Sequence, residues 1–186
     1  MNPVVDQIDL LHQLAPEAKK VGLLYCTAES NSKIQIELAA AELKKLGIEG
    51  VEHTASSSNE VQQVVESMMG KVDAIYTPTD NTIASAMTVI ASIANEHKVP
   101  TVCGEVAHVE AGGLASLSIN YEELGRRAGE MAVRILTEGA EPAAMPIESM
   151  GAAECDLVYN GQTAEALGID VTSLVEDGAT DVSAAE

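Results

Sequence analysis

The chain has 186 residues, 46% of them hydrophobic, which is enough for one domain with a sizeable core. Its formal net charge of −19, from 29 acidic and 10 basic residues, leaves no basic surface for nucleic acid or for an anionic membrane. Phe and Trp are absent and Tyr occurs four times, so the interior has to be built from Ala, Val, Ile, Leu and Met.

Met1 to Leu14 reads as a helix ended by Pro16; it has neither the basic start nor the apolar block of a signal peptide. Lys19 to Tyr25 is the first strand, and its Val21 to Tyr25 is a short, nearly all-apolar run, the pattern of a parallel strand covered on both faces. Polar residues follow at once (Thr27, Glu29, Ser30, Asn31, Ser32) and open a helix over Asn31 to Leu46, with Ile36, Ala39, Ala40 and Leu43 on one face and Gly47 as its stop. Ile48 to Thr54 is a second strand. A helix opens at Ser57 and ends at Gly70, and Val72 to Tyr76 is a third strand. That strand runs through Thr77-Pro78-Thr79 to Asp80 or Asn81, either of which can cap a helix reaching His97. Val99 to Cys103 is a fourth strand, and Gly104 to Gly113 is a polar loop or short helix. Leu114 to Ile119 alternates as a strand, and a helix runs from Asn120 to Gly139. Ala140 to Pro146 is a linker, Asp156 to Tyr159 one more strand, and Gln162 to Leu167 a short helix. Ser32 with Gln35, Ser57 with Glu60 and Asn120 with Glu123 have capping-box spacing. Strands alternating with helices of about a dozen residues give an α/β fold, a doubly wound parallel sheet with right-handed crossovers.

Much chemistry is missing. There is no GxGxxG after the first strand, no GxxxxGK[ST], no HExxH and no GxSxG. Cys26, Cys103 and Cys155 form neither a CxxC nor a zinc spacing, and His12, His53, His97 and His108 are scattered, so no metal site and no cofactor are expected. Cys103 with His108 is the one nucleophile–base pair to consider, against the plainer reading of Cys103 as a small buried hydrophobe. What remains is polar groups gathered at two strand-to-helix corners, the place where doubly wound sheets bind ligands. A helix start can hold a carboxylate, with hydroxyls of Thr27 and Ser32 as further donors, and Asp80 can hold an ammonium. Together these suit an α-amino acid; plain helix capping is the competing reading of the same residues.

Lys20-Val-Gly-Leu-Leu-Tyr-Cys-Thr-Ala-Glu-Ser-Asn-Ser32 resembles the hallmark segment of the tryptophan/tyrosine-type family of ABC-transporter solute-binding proteins, which have a periplasmic-binding-protein type I fold. Val72 to Thr82, Gly112 to Gly125, Leu157 to Asn160 and Ala166 to Ile169 resemble further segments of that family in the right order. The family often has a hydroxyl residue where this chain has Ala28. The resemblance implies two similar lobes with the ligand between them, of which this chain carries the second. Residues 1–113 are then the main part of that lobe and residues 114–145 a crossover strand and helix belonging to the first. Residues 146–172 are the return, and residues 173–186 a disordered acidic tail. Thr27, Glu29, Asn31, Ser32, Asp80 and Asn81 are the expected ligand-binding residues. The implied function is the extracytoplasmic binding component of an ABC importer, taking a small organic solute such as an amino acid, aromatic in related members. It works by lobe closure, with no enzymatic step and an ABC permease as partner; the chain itself shows no export signal. A ligand-sensing regulatory module of the same fold is the alternative, and an enzyme comes third. A strand at 114–119 without a sheet of its own, followed by a helix with Leu124, Ala128, Met131, Ala132 and Ile135 on one face, leads to the expectation of a homodimer through residues 114–136.

Overall fold

The computed structural model describes residues 2–183. The apolar runs become strands β1 (Lys20–Cys26), β3 (Ala74–Thr77), β4 (Thr101–Cys103) and β5 (Ala115–Ser118), with almost every residue buried, because helices cover both faces. β2 (Glu49–Ala55) alternates partly buried and exposed positions. β6 (Asp156–Tyr159) and β7 (Thr180–Asp181) follow on the other side, giving one sheet in the order β2-β1-β3-β4-β5-β6-β7. Neighbours are parallel throughout except β5 with β6, which run antiparallel.

The helices are α1 (Val4–Leu14), α2 (Ser30–Lys45), α3 (Ser58–Met68), α4 (Asn81–Glu96), α5 (Val106–Glu110), α6 (Tyr121–Glu138), α7 (Gly161–Leu167) and α8 (Thr172–Glu176). On one face of the sheet, Ile8 and Leu11 of α1 and Ile36 and Leu43 of α2 pack on Val21, Leu23, Tyr25 and Tyr76. On the other, Val61 and Val65 of α3 and Ile83, Met87 and Ile90 of α4 pack on Leu24, Ile75 and Cys103. The wide apolar girth of α4 is explained by its neighbours, since α3, α5 and α7 all touch it. With β2 and β3 on opposite sides of β1, the order in which strands are added reverses between β1 and β3, and such a switch point opens a crevice beyond the carboxyl ends.

Three expectations are corrected. The strand at residues 114–119 is not homeless: β5 pairs with β4 through Val102–Ala115 and with β6 through all four of its residues. It stays in this sheet because Ala115, Ser116 and Ser118 are buried between those neighbours. Among the described α-helices, α6 alone has no buried residue along its whole length. Residues 173–183 are not a disordered tail: Leu174 and Ala179 pack on the first core, Val182 on the second, and β7 lengthens the sheet. Residues 184–186 lie outside the described residues. Two capping boxes are not formed. Ser32 and Gln35 point to the neighbouring corner, and Ser57 makes no side-chain cap, while Glu60 accepts from Ser56 N and Oγ at 2.9 Å. At Asn120 half of the box exists, with Oδ1 accepting from Glu123 N at 2.9 Å, but the Glu123 carboxylate is taken by Arg126 and Arg127.

Candidate functional site

The two corners lie side by side and are stitched by carboxylates that cross between them. Asp80, 1% exposed, caps α4 by accepting from Ile83 N at 2.9 Å. Its other oxygen accepts from Cys26 N, at the end of β1, and from Ser32 Oγ on α2, both at 2.8 Å. Glu29 reaches from the first corner to the second. It accepts from Asn81 N and Thr82 N at 3.2 and 3.0 Å, and from their side chains at 3.3 and 3.2 Å. Burial pushes the Glu29 carboxyl up, but the Thr82 and Asn81 donors outweigh it and hold it below the usual range.

The start of α4 is therefore filled by Glu29 and Asp80, whereas the start of α2 has no side-chain cap. Thr27 and Asn31 are exposed there, and Asn31 Nδ2 donates to Thr79 O at 3.0 Å. Gln35 grips the same loop, accepting from Thr79 N at 3.2 Å. The structure thus brings all six expected residues to one edge and divides them. Thr27, Asn31 and Asn81 are exposed, Glu29 is half-buried with its carboxylate fully occupied, and Ser32 and Asp80 are buried. Asp80 is already surrounded by three protein donors, Cys26 N, Ser32 Oγ and Ile83 N, so its charge is engaged within the fold.

Beyond β4 the same edge carries Gly104 and Glu105. Asn2 donates to Thr79 Oγ1 and, at 3.0 Å, to Gly104 O. Gln7, fully buried on α1, donates to Leu117 O at 2.8 Å and accepts from the Tyr76 hydroxyl at 2.7 Å. This clamp was missed by sequence reasoning; the signal available was a Gln among the core-facing positions Val4, Ile8 and Leu11. Cys103 and His108 do not form a nucleophile–base pair. The Cys103 thiol is fully buried and pushed up to about 12 by that burial, and His108 Nδ1 lies 3.1 Å from Thr77 Oγ1. Of the four tyrosines, Tyr25 and Tyr76 are buried and Tyr159 is half-buried; Tyr121, at the start of α6, is 57% exposed.

The family model for ABC transporter substrate binding proteins matches residues 1–183. The tyrosine-binding protein of Clostridioides difficile (strain R20291) is 40% identical over 166 residues. That match covers 89% of this chain and 47% of that protein, so the chain spans about half the length of the curated relative. A Streptococcus pneumoniae ABC domain solved in complex with L-Trp superposes with a TM-score of 0.85 at 37% identity, over 96% of this chain and 60% of that one. The ligand-free, open form of a substrate-binding protein with adhesive properties from Clostridium difficile gives 0.77 at 39%, over 94% and 58%. With the family's model matched over residues 1–183, the chain belongs to the ABC transporter substrate-binding protein family.

Proposed function

We propose that this chain is the second lobe of an extracytoplasmic solute-binding protein that delivers an α-amino acid, of aromatic type, to an ABC permease. The observation that carries this is the contrast at the switch point. The start of α4 is closed by Glu29 and Asp80, while the start of α2 is uncapped, with Thr27 and Asn31 exposed beside it. Free N–H groups and the positive end of a helix are what a ligand carboxylate requires. Relatives that bind tyrosine or L-Trp support the ligand class, and exposed Tyr121 supplies a ring on the same side of the sheet.

In this reading residues 1–118 and 156–183 frame one wall of the cleft, and α6, without buried residues, packs against the opposing lobe. Capture proceeds by closure of one wall on the other about the chain segments that join them, without covalent chemistry. Where α6 is left uncovered, it is the surface through which copies of this chain associate. Calorimetric or thermal-shift titration with L-tyrosine and L-tryptophan tests the ligand class. Asn31→Ala is expected to weaken binding about tenfold or more, for loss of a polar group beside a bound carboxylate. A chain that responds to sugars or nucleosides and not to amino acids would remove the reading.

A further inference from the structure

With Asp80 and Glu29 occupied inside the fold, the ligand's ammonium group requires another anion, and the edge beyond β4 carries one. Glu105 immediately precedes α5, with its side chain 18% exposed. Among the described residues no Lys or Arg pairs with it and no donor hydrogen-bonds its carboxylate. Behind it lies His108, fully buried, whose Nε2 stands 3.0 Å from Glu105 Oε1 yet lacks an aligned hydrogen-bond partner. On the ring's other side Nδ1 lies 3.1 Å from Thr77 Oγ1, so the imidazole is held between that hydroxyl and the carboxylate. A half-buried carboxylate with one misaligned neighbour and no Lys or Arg partner is incompletely compensated, and an arriving ammonium would supply the missing hydrogen bonds.

We propose that Glu105 receives the ammonium group of the amino-acid ligand and that His108 positions its carboxylate from behind. This rests on the amino-acid reading given above. The spacing fits. β1 and β4 are separated only by β3, so their ends lie about 10 Å apart at ~4.8 Å per strand. That gap holds two hydrogen bonds of about 2.9 Å with an amino-acid head group between them. The ligand carboxylate then sits at the start of α2, its ammonium at Glu105, and its side chain beside Tyr121. The two latter residues are close enough that Tyr121's phenol, raised first by burial, is raised further by the charge of Glu105.

The test is an amide chemical-shift titration of the 186-residue chain with L-tryptophan and with indole-3-propionate, the same molecule without its amine. The wild type is expected to prefer L-tryptophan by about tenfold or more, from the added charge pair. Glu105→Gln is expected to erase the preference while leaving indole-3-propionate binding unchanged. His108→Gln should reduce the preference without abolishing it. Unaltered amide positions in β1 and β2 serve as the control for folding. A wild type that prefers L-tryptophan and a Glu105→Gln variant that keeps the full preference would overturn the assignment and leave the amino-acid reading standing. A wild type that shifts with neither compound, or with both equally, would overturn both.

Discussion

At the scale of single residues, Asp80 and Glu29 turn a pair of loops into one rigid corner. Asp80→Ala would strand three buried donors, Cys26 N, Ser32 Oγ and Ile83 N. The expected loss is about 3 kcal/mol, seen as a fall in melting temperature of roughly 6–12 °C. Asp80→Asn, which keeps one acceptor oxygen, should fall between the two. Glu29 carries a pH signature. Its carboxyl is held below the usual value when folded, so its stabilisation is complete above the unfolded pKa and is lost as pH falls through the lower folded one. Urea midpoints of wild type and Glu29→Gln should therefore differ at pH 7 and converge on acidification below pH 4.5; parallel curves down to pH 2 would contradict this. Both carboxylates were legible in the sequence as members of one edge, because each follows a strand and precedes a helix. Which of them points inward was not legible: that depends on Asp80 sitting opposite the backbone of Cys26, a contact between residues 54 positions apart. Glu105 went unchosen because its meaning depends on the burial of His108 behind it.

At the scale of elements, the close approach of β3 and β4 at their carboxyl ends depends on Gly104. A Cβ there would stand 2.4 Å from Thr79 N and 2.5 Å from the Pro78 carbonyl carbon, both backbone atoms that cannot move aside. Gly22, deep in β1, would meet only the flexible tip of Met68. Gly104→Ala is thus expected to cost about 1–3 kcal/mol by chemical denaturation and Gly22→Ala clearly less. α6 behaves oppositely. It ends in a left-handed residue, Gly139 at φ 71°, and shows one apolar stripe, yet it buries nothing. Leu136, 82% exposed, should be replaceable by Glu within about 0.5 kcal/mol, whereas Ile90→Ala on α4 should cost about 2–5 kcal/mol. If the stripe draws copies together, sedimentation at micromolar concentration will show association that grows with salt, as the repulsion of −19 charges is screened, and that Ile135→Glu abolishes. The period of the α6 stripe could be read from the sequence; what lies opposite it could not, since an apolar face records only that it wants covering.

At the scale of the molecule, the alternation of apolar runs and amphipathic helices fixed the class of fold because each signal is local: a buried strand is apolar throughout and a surface helix is apolar on one side. The last part of the order was harder. β5 and β6 are short, and their antiparallel pairing joins segments separated by α6 and a long linker. β7 has two residues, too few for any period, and its place is set by contacts of Ala179 and Val182 with opposite faces of the sheet. Those two cores share β1, β3 and β4, so neither is expected to melt alone. Unfolding in urea should be a single transition, with tyrosine fluorescence, dominated by buried Tyr25 and Tyr76, coinciding with far-ultraviolet circular dichroism. Separate midpoints would mean that one face of the sheet can lose its helices while the other holds.

The register of β5 with β6 has a practical consequence. Ser118 and Asp156 are direct partners, so the chain leaves the sheet and re-enters it at a single rung. Residues 119–155 are therefore a detour with coincident ends, tied off by one ladder. Such a detour can be excised and replaced by a two-residue Asn-Gly turn without changing where any strand lies, because antiparallel neighbours accept a tight hairpin. The shortened chain would be a portable half-cleft, without the apolar stripe and without Tyr121, on which the contacts of one wall with a ligand's head group can be measured without the other.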